Sequence, residues 1–252
     1  MLSHTHFGDQ DGVPLLIAHG LFGSARNWRG LGRALSRDRW VITVDMRNHG
    51  QSFWDNSNKY PDMADDLAQI IQEYGGQADV LGHSMGGKAA MCLALQMPDL
   101  INRLIVADIA PVTYSHSQTP VIDMLLGLDL GNYSRRAEVQ AEIAAQTGDP
   151  GLAAFLAQSF QSDDTGNRWS LNLPILRAFM DDIIGFPDMH TTYEKPCLFL
   201  RGDQSDYASG PHEAAAQRLF PNLTFEDLES AGHWLHADQP KPFLEAVNAY
   251  LG

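Results

Sequence analysis

Residues 78–97, ADVLGHSMGGKAAMCLALQM, pass from an unbroken apolar run through G-H-S-M-G into a helical pattern. That junction constrains the fold more than any other feature of the chain. A strand covered on both faces reads as a continuous apolar run, and such strands alternating with helices build a parallel sheet. The same kind of run recurs at Pro14–Gly20, Trp40–Met46, Arg103–Pro111 and Pro196–Asp203, and Leu223–Ser230 gives one more strand. Helical spacing marks Met63–Tyr74, Gly86–Met97, Pro211–Phe220 and the closing PKPFLEAVNAYLG. The expected fold class is α/β, a mostly parallel sheet with helices on both faces.

The alternation stops between 112 and 192. Four helical patterns, VIDMLLGLDL, RRAEVQAEIAAQ, GLAAFLAQSF and LPILRAFMDDII, follow one another there with no strand pattern among them. Residues 1–111 and 193–252 are therefore expected to form the core, with 112–192 as a helical cap inserted in the same domain. Such a cap sits over the carboxyl ends of the strands, where open α/β sheets bind ligands. It offers Met124, Leu125, Leu126, Phe155, Leu156, Phe160, Trp169, Leu176, Phe179 and Met180 for an acyl site or for packing.

GHSMGGKAA itself has two readings. Counted from Gly82 it is Gly, four residues, Gly87 and Lys88, most of a phosphate-binding P-loop. That loop needs Ser or Thr next, to hold Mg²⁺, and Ala89 has no oxygen. Centred on Ser84 it is G-x-S-x-G, the tight turn from strand to helix that exposes a nucleophilic hydroxyl. Larger side chains at Gly82 and Gly86 would collide with that turn, and the helix aims its free N–H groups at Ser84. Lys88 on that helix reads as a satisfied structural lysine.

The elbow reading requires an acid and then a histidine, in that chain order. SAGHWLH places His233 after the last strand and before the last helix, within reach of the sheet edge. His236 is its spare, and His83 reads as structural. LLIAHGLFGS leads a strand into a loop whose Leu21 N–H, with the Met85 N–H after the nucleophile, faces a developing oxyanion. Phe22 is the alternative donor, and His19 braces the loop. DMRNHGQS, with Asp45 and Arg47, reads as a structural hydrogen-bond set.

Composition excludes more than it indicates. The 17 basic residues face 31 acidic ones, a net charge of −14, which repels nucleic acid and anionic lipid surfaces. The start, MLSHTHFGDQDG, shows no secretory pattern and no run is long enough to span a membrane, so the expected compartment is the cytoplasm. Cys92 and Cys197 lie in apolar runs and read as buried thiols. His4 and His6 lack a third ligand, so they are not expected to hold a metal.

HGLFGSARNW, VDMRNHGQS, GHSMGGKAA, DIAPV and AGHWLHADQP together resemble the α/β-hydrolase superfamily, above all small bacterial esterases of the YbfF type and their mitochondrial relatives. The resemblance implies the α/β-hydrolase fold and a Ser–acid–His hydrolase of esters or thioesters, with no metal or cofactor. In that fold the acid usually follows PCLFLRGD in a G-x-x-D pattern, which here lands on Ser205. Asp203 and Asp206 flank the position. The other choice is Asp108, at the end of the strand RLIVADIAP, 24 residues past Ser84. Asp108 is the preferred acid, with Ser205 and Asp206 as auxiliary residues. The expected substrate is a small-molecule carboxylic ester of short to medium acyl chain. Four arginines against ten acids in the cap disfavour strongly anionic thioesters. Carbon–carbon bond hydrolysis or amide hydrolysis would use the same triad. A non-catalytic receptor would be expected to lose Ser84 or His233, and an aspartate-nucleophile enzyme would not carry serine at 84.

Overall fold

Each apolar run becomes a strand because both of its faces can be buried. The computed structural model describes residues 1–252. Along the chain come β1 (His4–Phe7), β2 (Leu15–Ala18), β3 (Val41–Val44), β4 (Ala78–His83) and β5 (Ile101–Ala107). The hairpin β6 (Phe160–Asp163) and β7 (Gly166–Trp169) follows, then β8 (Cys197–Gly202) and β9 (Leu223–Leu228). The main sheet has the order β1-β3-β2-β4-β5-β8-β9, parallel throughout except for β1, which runs antiparallel to β3.

Core helices are α1 (Arg29–Leu35), α2 (Tyr60–Glu73) and α3 (Met85–Gln96). Between β5 and β8 lie α4 (Thr119–Gly127), α5 (Arg136–Thr147), α6 (Pro150–Leu156), α7 (Leu173–Ala178) and α8 (Met180–Ile184). The chain closes with α9 (Pro211–Leu219), α10 (Leu235–Asp238) and α11 (Pro240–Leu251). Alternate strand residues point to opposite layers. Leu16, Ala18, Val80, Val106 and Phe199 pack with α2, α3 and the inserted helices, whereas Leu15, Ile17, Leu81, Ile105 and Leu200 pack with α1 and α11. No helix is long and apolar enough to cross a membrane.

The segment 112–192 contains the two-stranded hairpin β6–β7, where only helices were expected. FQSD and GNRW bury only Phe160 and Trp169, which meet edge to face at 6.2 Å. Two aromatic residues in eight leave no alternation to detect.

Candidate active site

Register brings the strand ends level. Ala18 pairs with Gly82 and His83 with Ala107, so the loop after β2, Ser84 and Asp108 leave the sheet side by side. The Ser84 N–H donates to the Ala107 carbonyl (3.1 Å) and the Asp108 N–H to the Leu200 carbonyl (2.8 Å). Both residues have left-handed backbones, φ 53° at Ser84 and φ 50° at Asp108. Such conformations cost of order 1–3 kcal/mol each and gather at functional sites. Glycine makes the turn at Ser84 feasible. A Cβ at Gly82 would lie 2.3 Å from the Gly86 carbonyl oxygen, and one at Gly86 would lie 2.4 Å from that of Ala18.

The structure brings Ser84, Asp108 and His233 into one hydrogen-bonded line. His233 Nε2 lies 3.0 Å from Ser84 Oγ, and His233 Nδ1 lies 2.8 Å from Asp108 Oδ2. A carboxylate only accepts, so Nδ1 carries the hydrogen and Nε2 is left to accept from the serine hydroxyl. Asp108 is wholly buried and also accepts from the Ser205 hydroxyl (2.5 Å) and the Gly202 N–H (3.2 Å). Ser205 therefore touches the Asp108 carboxylate. The two neighbouring acids do not. Asp203 accepts from the Ala231 N–H at 3.2 Å, while Asp206 is exposed and meets His212 only through its main-chain carbonyl.

Two buried histidines shape the loop after β2. His19 donates from Nδ1 to the Gly20 carbonyl (2.7 Å) and accepts the Met46 N–H at Nε2 (2.9 Å). His49 donates from Nδ1 to the Arg47 carbonyl (2.8 Å) and accepts the Phe22 N–H at Nε2 (3.3 Å). One donor and one acceptor define a neutral ring, and burial pushes the two down to about 4 and about 3 respectively. The Phe22 amide is thereby engaged. The amides of Leu21 and of Met85, the first residue of α3, have no acceptor within the protein.

His83 holds the backbone of the histidine loop, its Nε2 2.8 Å from the His233 carbonyl, and burial keeps it well below the ordinary histidine value. His236 stacks on Trp28 with centroids 4.3 Å apart and bonds to neither Ser84 nor Asp108. Asp45 and Arg47 serve different partners. Asp45 accepts from the Ala25 and Gln51 amides, and Arg47 pairs with Asp66 at 2.6 Å. Lys88 is buried, and its Nζ donates to the carbonyls of Val112 (2.8 Å), Ile184 (2.8 Å) and Gly185 (2.5 Å).

Ser84 opens on a cavity of about 290 Å³ lined by the buried Tyr60, Met85, Ile109, Tyr114 and Ile183, the half-buried Leu21 and Phe155, and the exposed His116 and Trp234. Of the ten cap residues offered for an acyl site, only Phe155 lines it. Leu125, Leu156 and Leu176 are fully buried packing residues. Tyr207 also lines the cavity and was not singled out in the sequence. Its ring stacks on His233 with centroids 4.0 Å apart, and the only hint was its place two residues after Ser205. No cluster of His, Cys, Asp or Glu has metal-ligand spacing. His4 bonds to Tyr74 and His6 to Trp40, and burial raises Cys92 and Cys197 to about 12, leaving both thiols protonated.

A family model described as alpha/beta hydrolase fold matches residues 13–240. The chain belongs to the α/β-hydrolase family. Among curated relatives, esterase YbfF of Escherichia coli (strain K12) is 34% identical over 251 residues, covering 99% of this chain and 97% of that protein. The sn-1-specific diacylglycerol lipase ABHD11 of Danio rerio is 34% identical over 253 residues, covering 97% of this chain and 80% of that protein. Among solved structures, a marine microorganism esterase superposes with a TM-score of 0.94 at 32% identity, covering 99% of this chain and 98% of that one. Family and relatives together make this α/β-hydrolase an enzyme of the carboxylesterase kind, acting on ester bonds.

Proposed function

We propose that this hydrolase cleaves carboxylic esters of short to medium acyl chain through an acyl-enzyme. Ser84 is the nucleophile, His233 the general base and Asp108 the acid that orients it. The observation that carries the reading is the line from Ser84 Oγ through the imidazole to Asp108, at 3.0 and 2.8 Å, at the wall of the cavity. His233 takes the Ser84 proton as Oγ attacks the ester carbonyl, and Asp108 stabilises the imidazolium. The unengaged Leu21 and Met85 amides are the donors available to the tetrahedral oxyanion. His233 then protonates the departing alkoxide, and a water deprotonated by the same ring releases the acid from Ser84.

Cavity size supports the chain-length part of the proposal. At about 290 Å³ the pocket sits at the lower end of the roughly 300–1,000 Å³ usual for small-molecule sites. A p-nitrophenyl ester series from acetate to palmitate, run on wild type and Ser84→Ala, tests both parts. Turnover is expected to peak between butyrate and octanoate, to collapse at palmitate, and to vanish in Ser84→Ala. Undiminished hydrolysis by Ser84→Ala would remove the nucleophile assignment, and a rise toward palmitate would remove the chain-length one.

A further inference from the structure

The loop after β8, where this fold commonly carries its acid, gives the site a ring instead of a carboxylate. Tyr207 lies nearly parallel to His233, with centroids 4.0 Å apart and planes 20° apart. Tyr207 is held at three points, one at the end of its ring and two on its main chain. Its hydroxyl is 2.7 Å from His116 Nε2, its carbonyl accepts from the Tyr114 hydroxyl (2.6 Å), and its N–H lies 3.4 Å from Ser205 Oγ. Tyr114 and His116 both belong to the segment leading from β5 toward α4, so that one segment anchors the phenol end of Tyr207 and its main chain together.

His233 needs that support. It stands in a loop between β9 and α10, with Ser230 in the left-handed region. The Asp108 bond fixes Nδ1 but leaves the ring free to tilt about it. When the ring takes the Ser84 proton it becomes a cation, and the groups around it differ in what they do to that charge. Asp108, from the end of β5, favours it. His83, at 4.9 Å from the elbow, and His236, from α10, are held neutral by burial and offer no countercharge. Ser84 and Ser205 are uncharged hydroxyls. Asp206 is exposed, and His116 and His212 lie around Tyr207 and Tyr114. The face of Tyr207 lies stacked on the imidazole, whereas the Trp234 ring is tilted and 6.5 Å away, and cations are attracted to aromatic faces within about 6 Å.

We propose that Tyr207 is a positioning residue: its stacked ring holds the His233 imidazole in the plane that joins Ser84 to Asp108 and stabilises the imidazolium formed as Ser84 attacks. The inference rests on the reading of Ser84, His233 and Asp108 as the reacting set. It assigns the phenol hydroxyl a lesser role, anchoring the ring to His116, and the aromatic face the greater one.

The test is kcat and KM for p-nitrophenyl butyrate from pH 5 to 9 in wild type, Tyr207→Phe and Tyr207→Leu, with Ser84→Ala as the blank. Tyr207→Phe is expected to stay within about threefold of wild type. Tyr207→Leu is expected to lose about tenfold in kcat with KM little changed, and the acid limb of its kcat/KM profile moves to lower pH as the imidazolium loses its stabilising face. Should Tyr207→Leu fail to fold, Tyr207→Met supplies similar apolar bulk without an aromatic face and carries the same expectation. An unshifted acid limb with unchanged kcat, or an effect confined to KM, overturns the proposal and leaves Tyr207 a pocket wall. Full activity in Ser84→Ala would instead overturn the reacting set on which it rests, so the two failures are distinguishable.

Discussion

At the scale of single residues, Asp108 and Asp206 separate two chemistries that the sequence left competing. Asp108 is buried with three donors on its carboxylate, one of them the imidazole, while Asp206 faces solvent. Asparagine tolerates the left-handed backbone that Asp108 adopts, so Asp108→Asn removes charge without forcing the turn. It is expected to lower turnover by about 10⁴, as the same change does in a Ser-His-Asp protease, whereas Asp206→Asn stays within about twofold. Ser205→Ala removes one donor from that carboxylate but leaves the imidazole bonded to it, and is expected to lower kcat by about tenfold, far less than Asp108→Asn. Steady-state kinetics on the three variants decides it: a silent Asp108→Asn beside a crippled Asp206→Asn would move the acid to the loop after β8.

At the scale of elements, legibility followed burial. The strands that line the site, β2, β4, β5 and β8, are buried along most of their length and read directly as apolar runs. β1 did not, because HTHF is a half-polar edge strand. RGLGRAL was missed as α1 because two glycines lower its helix propensity, and only the packing of Leu31 and Leu35 makes it a helix. Ser84 and His233 were legible because backbone turns and chain order announce them, while Tyr207 becomes visible only when a tertiary stack is seen. Lys88 lies between these cases: its type was legible, its partners were not. It ties α3 to Val112, where the chain leaves β5, and to Ile184 and Gly185 at the end of α8. Burial pushes the ammonium down to about 7, yet all three of its hydrogens have a carbonyl to bond, which favours the charged form. Lys88→Met keeps the stem and orphans three carbonyls. We expect it to destabilise the protein by about 3 kcal/mol, since hydrogen bonds to charged groups contribute ~1.5–3 each and the relieved desolvation offsets part. Urea unfolding measures the loss, and hydrogen exchange should show the chain around 112 and 184–185 opening first. An unchanged midpoint would mean these three bonds do not hold the inserted segment.

At the scale of the whole molecule, buried neutral histidines set the acid limit of the fold. His19 and His49 are almost wholly buried, and each uses Nε2 to accept a backbone N–H, from Met46 and from Phe22. Protonation would place two donors face to face at both points and release the loop that carries Leu21. The sign follows from proton counting. With folded values of about 4 and about 3 against about 6.5 for an unfolded histidine, the unfolded chain binds more protons than the native one below pH 6.5. Stability is therefore flat with respect to these groups above about pH 6.5 and falls as pH drops toward 4, by ~1.4 kcal/mol per pH unit for each histidine. Between pH 6.5 and 5 the pair removes ~3 kcal/mol, a large part of the roughly 5–15 kcal/mol that holds a domain folded. His83, also held neutral by burial, acts in the same direction. Urea unfolding at pH 7.5, 6.0 and 5.0 is expected to show a loss of ~1.6 kcal/mol from the pair over the first interval and a steeper loss of ~2.4 kcal/mol over the narrower second one. His49→Gln retains one donor and one acceptor but cannot gain a proton. Its slope between pH 6 and 5 is expected to be shallower by ~1.4 kcal/mol per unit, and an equal slope in both proteins would take the acid limit away from this histidine.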